Sequence, residues 1–336
     1  MSTPVRYAIG IDIGGTKIAG ALVAIKPETT DQLIRYVEEH PTPEDPKAFM
    51  DTLVNMVENI REKSGVKSQI EAVGISTAGT VNTDEGRIIG STANLPAAQG
   101  ENGVAPLRKL LEARVHLPVH VENDANAAAY GEMAAGAAMG MNDMVMVTLG
   151  TGVGTGIVIN GKMIRGAHYS AGEGGHIIIS QAPRQCSCGK PGCWEAYASG
   201  KGLKVSIREM VQTAPSGEQA VFLERGNPLE KIGTHDLFHA QNKGSKLAAT
   251  IVERWHQDIV DGMRSIINLL DPEAIVVGGG LAQFVDFDQL TTRLKPLVMT
   301  PAYRILPAEL GNNAGLVGAA YLAIAEMKPL PAAAGA

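Results

Sequence analysis

Aromatic residues, net positive charge and long apolar runs are all missing or scarce in this chain of 336 residues. Aromatic side chains make up 4% of the sequence, which disfavours a base-stacking surface for nucleic acid. The formal net charge of -6 disfavours bulk electrostatic binding to nucleic acid or to an anionic membrane. No apolar run reaches the roughly 20 residues that span a bilayer, and no signal peptide is recognisable at the N-terminus. We therefore expect a cytoplasmic globular protein without a nucleic-acid or membrane partner.

Cysteine is also scarce, but its distribution is informative. The three cysteines, Cys186, Cys188 and Cys193, lie within eight positions, and His176 precedes the first by ten residues. Three thiolates and one imidazole complete a tetrahedral zinc set with no ligand left over. The intervening glycines and proline supply the sharp turns that such convergence needs. The spacing predicts a structural zinc site, with three buried or reactive thiols as the alternative.

Glycine, in contrast, is abundant at 39 residues, and it interrupts two similar segments. An apolar strand over residues 7–12 breaks at a glycine turn and resumes over 18–25. A second apolar strand over 144–149 is followed by another glycine turn and a return strand over 155–159. This repetition predicts a duplicated α/β architecture with the active site between the two halves.

Hydrophobic periodicity predicts the remaining elements. Further strands are expected at 70–75, 119–122 and 274–277, and helices at 46–63, 125–138, 245–270 and 313–327. Asn160-Gly161 is a hairpin turn signal. We place a smaller N-terminal domain at 1–122 and a larger C-terminal domain, which carries the zinc residues, at 123–312. The last helix, within about 313–330, is expected to pack back on the first domain.

The first glycine turn has the composition of a phosphate-binding loop. Gly14 and Gly15 allow backbone N–H groups to approach phosphate oxygens, while Thr16 and Lys17 add a hydroxyl and a positive charge. Asp12, at the end of the strand, is suited to hold Mg²⁺ through water. Lys17 leads into a strand rather than a helix, so this is not the strand-to-helix P-loop. An ordinary glycine hairpin is the alternative.

The second turn repeats this construction, and a third glycine cluster follows a buried strand. The predicted nucleotide-binding residues of the second turn are Gly150, Thr151, Gly152 and Gly154. One such turn is weak evidence of function, but two in matching places indicate a nucleoside triphosphate held from both sides of a cleft. Gly279, within the triplet at 278–280, favours an adenosine site, with close packing or a helix entry as the alternative.

Candidate groups for chemistry lie at 122–126, where a strand leads into a helix. Asp124 is suited to accept a proton from an attacking hydroxyl, and Asn123 to hydrogen-bond the substrate. The alternative is that either residue only caps the helix. Glu173 and Glu195 flank the zinc residues and are suited to accept hydrogen bonds from vicinal hydroxyls of a polyol. Ordinary surface carboxylates are the alternative there.

Together these motifs resemble the sugar kinases of the ROK family (repressor, open reading frame, kinase), within the actin-like ATPase superfamily. The resemblance runs from about residue 7 to residue 327, and its most specific part is Cys-x-Cys-Gly-x-x-Gly-Cys-x-Glu at 186–195. It implies duplicated actin-like, ribonuclease H-like domains with an interdomain cleft and a structural zinc loop, in a homodimer or homotetramer. It also implies ATP-dependent phosphorylation of the 6-hydroxyl of glucose, with Mg²⁺ and structural Zn²⁺ as cofactors.

The resemblance assigns a role to each matching residue. Asp124 corresponds to the catalytic base, and the zinc ligands are the four residues named above. The implied sugar contacts are Asn94, Asn123, Glu173, His176 and Glu195.

Several alternatives remain open. After residue 96, family glucokinases often have a tryptophan, whereas this chain has a polar, glycine-containing segment at 97–103. N-acetylglucosamine, N-acetylmannosamine and fructose kinases are therefore the nearest alternatives, and polyphosphate is an alternative donor. ROK transcription regulators carry a winged helix-turn-helix ahead of this body, for which the eleven residues before Asp12 leave no room. An actin-like polymer protein would have no use for the zinc residues.

Overall fold

The protein is an α/β fold, described by a computed structural model over residues 5–26, 32–89, 106–181, 184–300 and 302–327. Its strands are β1 (Arg6–Ile13), β2 (Lys17–Ile25), β3 (Ile34–Pro41), β4 (Ile70–Thr77), β5 (Val81–Asn82), β6 (Arg87–Ile88), β7 (Val119–Asn123), β8 (Met144–Leu149), β9 (Val153–Ile159), β10 (Lys162–Met163), β11 (Ala274–Gly278) and β12 (Arg304–Pro307).

The described residues also form ten α-helices. They are α1 (Pro46–Lys63), α2 (Leu107–Val115), α3 (Asp124–Ala135), α4 (Glu195–Ala198), α5 (Gly200–Gln212), α6 (Ser216–Leu223), α7 (Thr234–Asn242), α8 (Lys246–Leu270), α9 (Phe287–Leu294) and α10 (Ala314–Ala325). None of them combines the length and apolar composition that a bilayer-spanning segment requires, within the ranges given above.

The first sheet has the strand order β3-β2-β1-β4-β7. β1 pairs antiparallel with β2 but parallel with β4, and β4 pairs parallel with β7. The carboxyl ends of β1, β4 and β7 therefore meet at one edge, where ligands of open α/β sheets bind. The register places Asp12 opposite Ser76, and Ser76 opposite Glu122. The predicted strands at 7–12, 70–75 and 119–122 are confirmed.

One face of this sheet is covered by α1, whose limits are those expected. Asp45 is the N-cap and accepts a hydrogen bond from the Ala48 N–H at 2.8 Å, and Pro46 occupies the first turn, where its missing N–H costs nothing. The apolar stripe of the helix is buried in the core beside β1 and β2; its residues are Phe49, Leu53, Met56, Val57 and Ile60.

The last described helix, α10, packs against α3 and against β1 and β4. Its residues Leu316, Val317 and Ala320 are buried in one apolar cluster with Ala21 and Val23 of β2. This helix confirms the predicted element at 313–327 and belongs to the same compact unit as the first sheet.

The second sheet has the order β10-β9-β8-β11-β12. Asn160 and Gly161 both have positive φ, 53° and 70°, between β9 and β10, which confirms the predicted hairpin turn. β11 pairs parallel with β12. The helix predicted at 245–270 is α8, capped by Ser245.

The chain divides into two compact units. Among the described residues, those within 1–146, 156–172 and 308–336 form unit 1, and those within 147–155 and 173–307 form unit 2. This division differs from the predicted boundary at 122, because α3 groups with the first sheet and with α10. The zinc residues lie in unit 2.

Candidate active site

The carboxyl-terminal edge of the first sheet carries a half-buried acidic group, Asp12. Asp12 Oδ1 accepts a hydrogen bond from Ser76 Oγ at 2.7 Å. Burial raises the pKa of Asp12, while the Ser76 hydrogen bond and the charge of Lys17 act in the opposite direction. α10 begins beside this carboxylate, and a Cβ added at Gly315 would lie 3.2 Å from Asp12 Oδ1. Asp12 therefore lies where β1, β4 and the first turn of α10 meet.

The β7–α3 turn in unit 1 holds Asn123 and Asp124. Asn123 is the N-cap of α3: its Oδ1 accepts hydrogen bonds from the N–H groups of Ala125 and Asn126, at 3.0 and 3.2 Å. Its side-chain amide donates to the carbonyl of Gly79 at 3.0 Å. Asn123 therefore caps the helix, the role named above as the alternative to a substrate contact, and the neighbouring Asp124 is exposed at the start of the helix.

The electrostatic surroundings of Asp124 suit a base. Although the side chain reaches solvent, nearby protein disfavours its charged form, and the negative charge of Asp12 adds to this effect. The Ala125 N–H, 2.8 Å from Asp124 Oδ1, opposes both. The net result raises the pKa of Asp124 to about 6. Such a carboxylate is ionised at neutral pH yet holds a proton more readily than an ordinary aspartate.

The β1–β2 turn contains Gly14, Gly15, Thr16 and Lys17. It is closed by the Gly14 N–H, which donates to the Lys17 carbonyl at 2.9 Å, and Thr42 Oγ1 donates to the Gly14 carbonyl at 2.6 Å. The Lys17 ammonium pairs with Glu39 Oε1 at 2.7 Å, and both side chains are more than half exposed. The turn is therefore anchored at its base, with Gly15, Thr16 and Lys17 facing solvent.

The β8–β9 turn in unit 2 contains Gly150, Thr151 and Gly152, with Gly154 following in β9. The carbonyl of Gly150 accepts the Gly200 N–H at 2.8 Å, and the Val153 N–H donates to Glu195 Oε2 at 3.1 Å. Glu195, predicted as a sugar contact, thus supports the glycine turn. Gly279 packs against Leu149, whose carbonyl accepts the Leu281 N–H at 2.9 Å.

Unit 2 also contains a cavity of about 440 Å³ next to the glycine triplet. Gln283, on its wall, donates to the Gly280 carbonyl at 2.8 Å. Phe238 and Phe284 stack with their ring centroids 3.7 Å apart. Among the described residues, no donor reaches the buried Gln289 Oε1, which also lies in the cavity wall. The cavity thus presents aromatic surface, while the Gln289 oxygen is buried behind its wall.

The predicted zinc residues converge. The ligand atoms of His176, Cys186, Cys188 and Cys193 all lie within 4.8 Å of one another. Cys188 Sγ is 3.7 Å from Cys193 Sγ, and Cys186 Sγ is 3.6 Å from His176 Nδ1. Tetrahedral Zn²⁺ with Zn–S bonds of about 2.3 Å separates two sulfur ligands by about 3.8 Å. The donor set and its spacing therefore fit Zn²⁺, and four protein ligands leave no open coordination position.

The chain around these ligands has little regular structure. Two isolated bridges, between Ile178 and Cys193 and between Gln185 and Pro191, hold its two arms together. Trp194, which follows the last ligand, is fully buried and donates from Nε1 to the Asp258 carbonyl of α8 at 2.8 Å. Its ring lies against Gly262 of α8, so closely that a Cβ added there would collide with the indole. The loop is thus anchored to α8 by one large aromatic side chain.

Of the remaining predicted site residues, Glu173 is described by the structure and Asn94 is not. Glu173 Oε2 lies 3.8 Å from His176 Nε2, the ring nitrogen that faces away from Cys186. Asn94 and the segment 97–103 lie outside the described residues. Sequence reasoning missed Arg165, which pairs with Glu122 at 2.7 Å, because no local pattern relates residues 43 positions apart.

Comparison with known proteins places this architecture in a family. The model of the ROK family matches residues 8–326. The match covers nearly the whole chain, so the protein belongs to the ROK family. The predicted family resemblance is confirmed.

The similar proteins include sugar kinases. Glucokinase of Streptomyces coelicolor is 38% identical over 324 residues, which cover 94% of this chain and 96% of that protein. An N-acetyl-D-glucosamine kinase of Shigella flexneri is 32% identical, covering 93% of this chain and 98% of that one. The crystal structure of a ROK glucokinase of Streptomyces griseus with glucose and AMPPNP is 34% identical, has a TM-score of 0.75, and covers 94% of this chain and 98% of that one.

Proposed function

We propose that this protein is an ATP-dependent hexose kinase that phosphorylates the 6-hydroxyl of glucose. The observation that carries the proposal is the Asp124 carboxylate, exposed at the carboxyl-terminal edge of the first sheet with a raised pKa. It occurs in a chain 38% identical to a glucokinase. An N-acetylglucosamine kinase activity is the second candidate, because a kinase for that sugar is 32% identical over 330 residues.

In the proposed reaction, Asp124 is the general base. The 6-hydroxyl oxygen attacks the γ-phosphorus of ATP, its proton passes to the Asp124 carboxylate, and the bond between the γ-phosphorus and the bridging oxygen breaks to leave ADP. Asn123 would orient the sugar. Because the attacking group is a neutral hydroxyl, a base that is ionised near neutral pH and can accept a proton during transfer assists the step.

The phosphate chain of ATP would be bound by glycine turns. We assign this role to the backbone N–H groups of Gly14, Gly15, Gly150, Gly152 and Gly154, with the hydroxyls of Thr16 and Thr151 and the charge of Lys17. Lys17 would leave its exposed partner Glu39 for the phosphate, which costs little at the surface. Asp12 is suited to hold Mg²⁺ through water, and the ion would supply neutralisation of phosphate charge.

We assign the base of the nucleotide to the cavity beside Gly279 and Gly280. The cavity is of small-molecule size and contains the aromatic surface of Phe238 and Phe284, against which a flat base can lie. ATP therefore fits this cavity better than a donor that lacks a base, such as polyphosphate.

The zinc loop would serve the sugar rather than the phosphate transfer. A closed four-ligand site gives the ion no place for a substrate, so its role would be structural. We propose sugar contacts at Glu173, at Glu195 and at His176 through its Nε2, together with Asn123. The assignment of Asn94 and the homo-oligomeric state rest on the family resemblance alone, and the cytoplasmic location remains the expectation from the sequence composition.

We also propose that the two sheets derive from duplicated actin-like domains. In each sheet the strand that comes first in the sequence, β1 or β8, lies in the centre. The next two strands in the sequence lie on one side of it, and the last two lie on the other side. In each, the third strand pairs antiparallel with the second, and the fifth pairs parallel with the fourth. Two unrelated sheets would rarely share this order.

The test is a set of initial rates with ATP and Mg²⁺ on glucose, mannose, fructose, N-acetylglucosamine and N-acetylmannosamine. We expect the highest kcat/KM on glucose. Highest activity on N-acetylglucosamine would replace glucose by the second candidate, and absence of turnover on every sugar would reject the kinase. Replacing ATP by polyphosphate should abolish the rate, and retained activity would contradict the assignment of the cavity.

A further inference from the structure

The residue immediately before the predicted sugar contact Asn123 is a buried carboxylate. Glu122 is 1% exposed, and its Oε2 lies 2.7 and 2.8 Å from two nitrogens of the Arg165 guanidinium. Arg165 also lies 2.8 Å from Glu326 Oε1, at the end of α10. Burial opposes ionisation of Glu122, but His120 and Arg165 outweigh it and hold the pKa of Glu122 below its ordinary value. Glu122 is therefore a buried anion with a charged partner.

The second oxygen of this carboxylate reaches into the β7–α3 turn. Glu122 Oε1 accepts a hydrogen bond from the Asn123 backbone N–H at 3.1 Å and another from the Asn126 side-chain amide at 3.0 Å. Asn126 is itself buried in the first turn of α3. The residues on both sides of Asp124 are thus bound to one carboxylate, and Arg165 holds that carboxylate in place.

Stability alone gives a weak reason for this arrangement. A buried ion pair often contributes little net stability, because desolvation offsets its attraction, although removing one partner is costly. Here the hydrogen-bond acceptors point at the backbone and at the helix turn that determine where Asp124 lies. Displacing a catalytic group by about 1 Å can cost on the order of 100-fold in rate.

We propose that Glu122, held by Arg165, is a positioning residue that fixes the β7–α3 turn so that Asp124 keeps its reactive placement. The inference rests on the proposed kinase function. Glu122 and Arg165 touch neither substrate nor phosphate in this scheme; they act through Asn123 and Asn126. Their loss should therefore lower kcat far more than it weakens sugar or ATP binding.

A second buried carboxylate on the same helix provides a matched control. Glu132, near the other end of α3, is fully buried and accepts hydrogen bonds from the backbone N–H groups of Glu309 and Leu310, at 3.1 and 2.8 Å. Glu132→Gln removes a buried charge from the same helix without touching the turn at its start. Its effect on stability should resemble that of Glu122→Gln, while its effect on turnover should not.

The experiment compares Glu122→Gln, Arg165→Met, the double variant and Glu132→Gln in the full chain, with kcat, both KM values and the melting temperature measured for each. The amide introduced by Glu122→Gln would offer one acceptor oxygen where the carboxylate offers two. We expect kcat to fall by about 10- to 100-fold in Glu122→Gln, with both KM values within about threefold of wild type. The kcat of Arg165→Met should fall similarly, and Arg165→Lys should recover part of the lost kcat.

If Arg165 acts through Glu122, the double variant should be no slower than Glu122→Gln, because the two effects are not independent. Additive losses, or a loss in Glu122→Gln no larger than in Glu132→Gln, would overturn the inference. Should Glu122→Gln fail to fold, Asn126→Ala removes one arm of the same contact and should lower kcat by a few-fold; unchanged kcat there would also overturn it. A wild type inactive on all five sugars would instead reject the proposed function, so the two failures are distinguishable.

Discussion

The β7–α3 turn and the zinc loop both present predicted functional side chains, but they are held by different means. The turn follows a strand in register with β4, is capped by Asn123, and rests on the buried Glu122. The zinc loop is held by two isolated bridges, by Trp194 and by four converging ligands. The β7–α3 turn should therefore persist without any ion, whereas the loop that carries the four ligands should depend on the proposed Zn²⁺ for order.

Asp124→Asn should separate chemistry from structure at the turn and have the largest effect. The amide keeps an oxygen for the Ala125 N–H but cannot take the hydroxyl proton, so kcat should fall by about 100- to 10,000-fold. Glucose affinity, measured by calorimetry, and the zinc content should remain those of the wild type. Turnover near the wild-type level would remove Asp124 as the base.

Cys188→Ser should disrupt the zinc loop while it leaves the β7–α3 turn intact. The loss of one thiolate should release Zn²⁺, disorder the loop and weaken glucose binding by at least about tenfold. Elemental analysis measures the metal, and calorimetry measures the affinity. Lys190→Ala, at an exposed position of the same loop, is the control and should keep both. A wild-type preparation that contains no zinc would contradict the assignment.

The pH dependence of kcat/KM should come from Asp124 in the β7–α3 turn and not from the zinc loop. Because the pKa of Asp124 is raised to about 6, the ionised base is lost below that pH, and kcat/KM should fall about tenfold for each further unit of acidification. At higher pH the base stays ionised and no loss from this group is expected. Lys190→Ala should show the same acid limb, and a limb near pH 4 in the wild type would contradict the raised pKa.

Gly262→Ala should test the anchoring of the zinc loop, with the smallest expected effect. The added methyl group would collide with the Trp194 ring, so the free energy of unfolding should fall by about 1–3 kcal/mol. Gly217→Ala, in α6, meets no described atom within 4 Å and should change stability by less than about 1 kcal/mol. Denaturant unfolding measures both, and equal losses would show that Gly262 has no special role.

Local patterns were enough to predict much of this protein. The helix over Pro46–Lys63 follows from its stripe of apolar residues, and the hairpin at Asn160-Gly161 from its turn residues. The candidate zinc ligands are recognisable because all the cysteines are close in sequence. In each case the determining residues are near neighbours along the chain.

Features that depend on distant residues could not be predicted. β3 (Ile34–Pro41) alternates half-buried and exposed residues, so it lacks the apolar run that marks β1. The pairing of Arg165 with Glu122 joins residues that only the fold brings together. Likewise, nothing near Glu195 indicates that its carboxylate accepts the Val153 N–H of the β8–β9 turn. These contacts are consequences of tertiary structure rather than of local composition.

The position of α10 has a consequence for synthesis of the protein. This helix packs on α3 and on the strands β1 and β4, yet it is translated well over a hundred residues after them. A nascent chain therefore emerges from the ribosome with the apolar surfaces of these elements uncovered, and unit 1 can complete its core only once α10 has been made. We expect folding on the ribosome to remain incomplete until then, with a period in which chaperones can bind the exposed sheet.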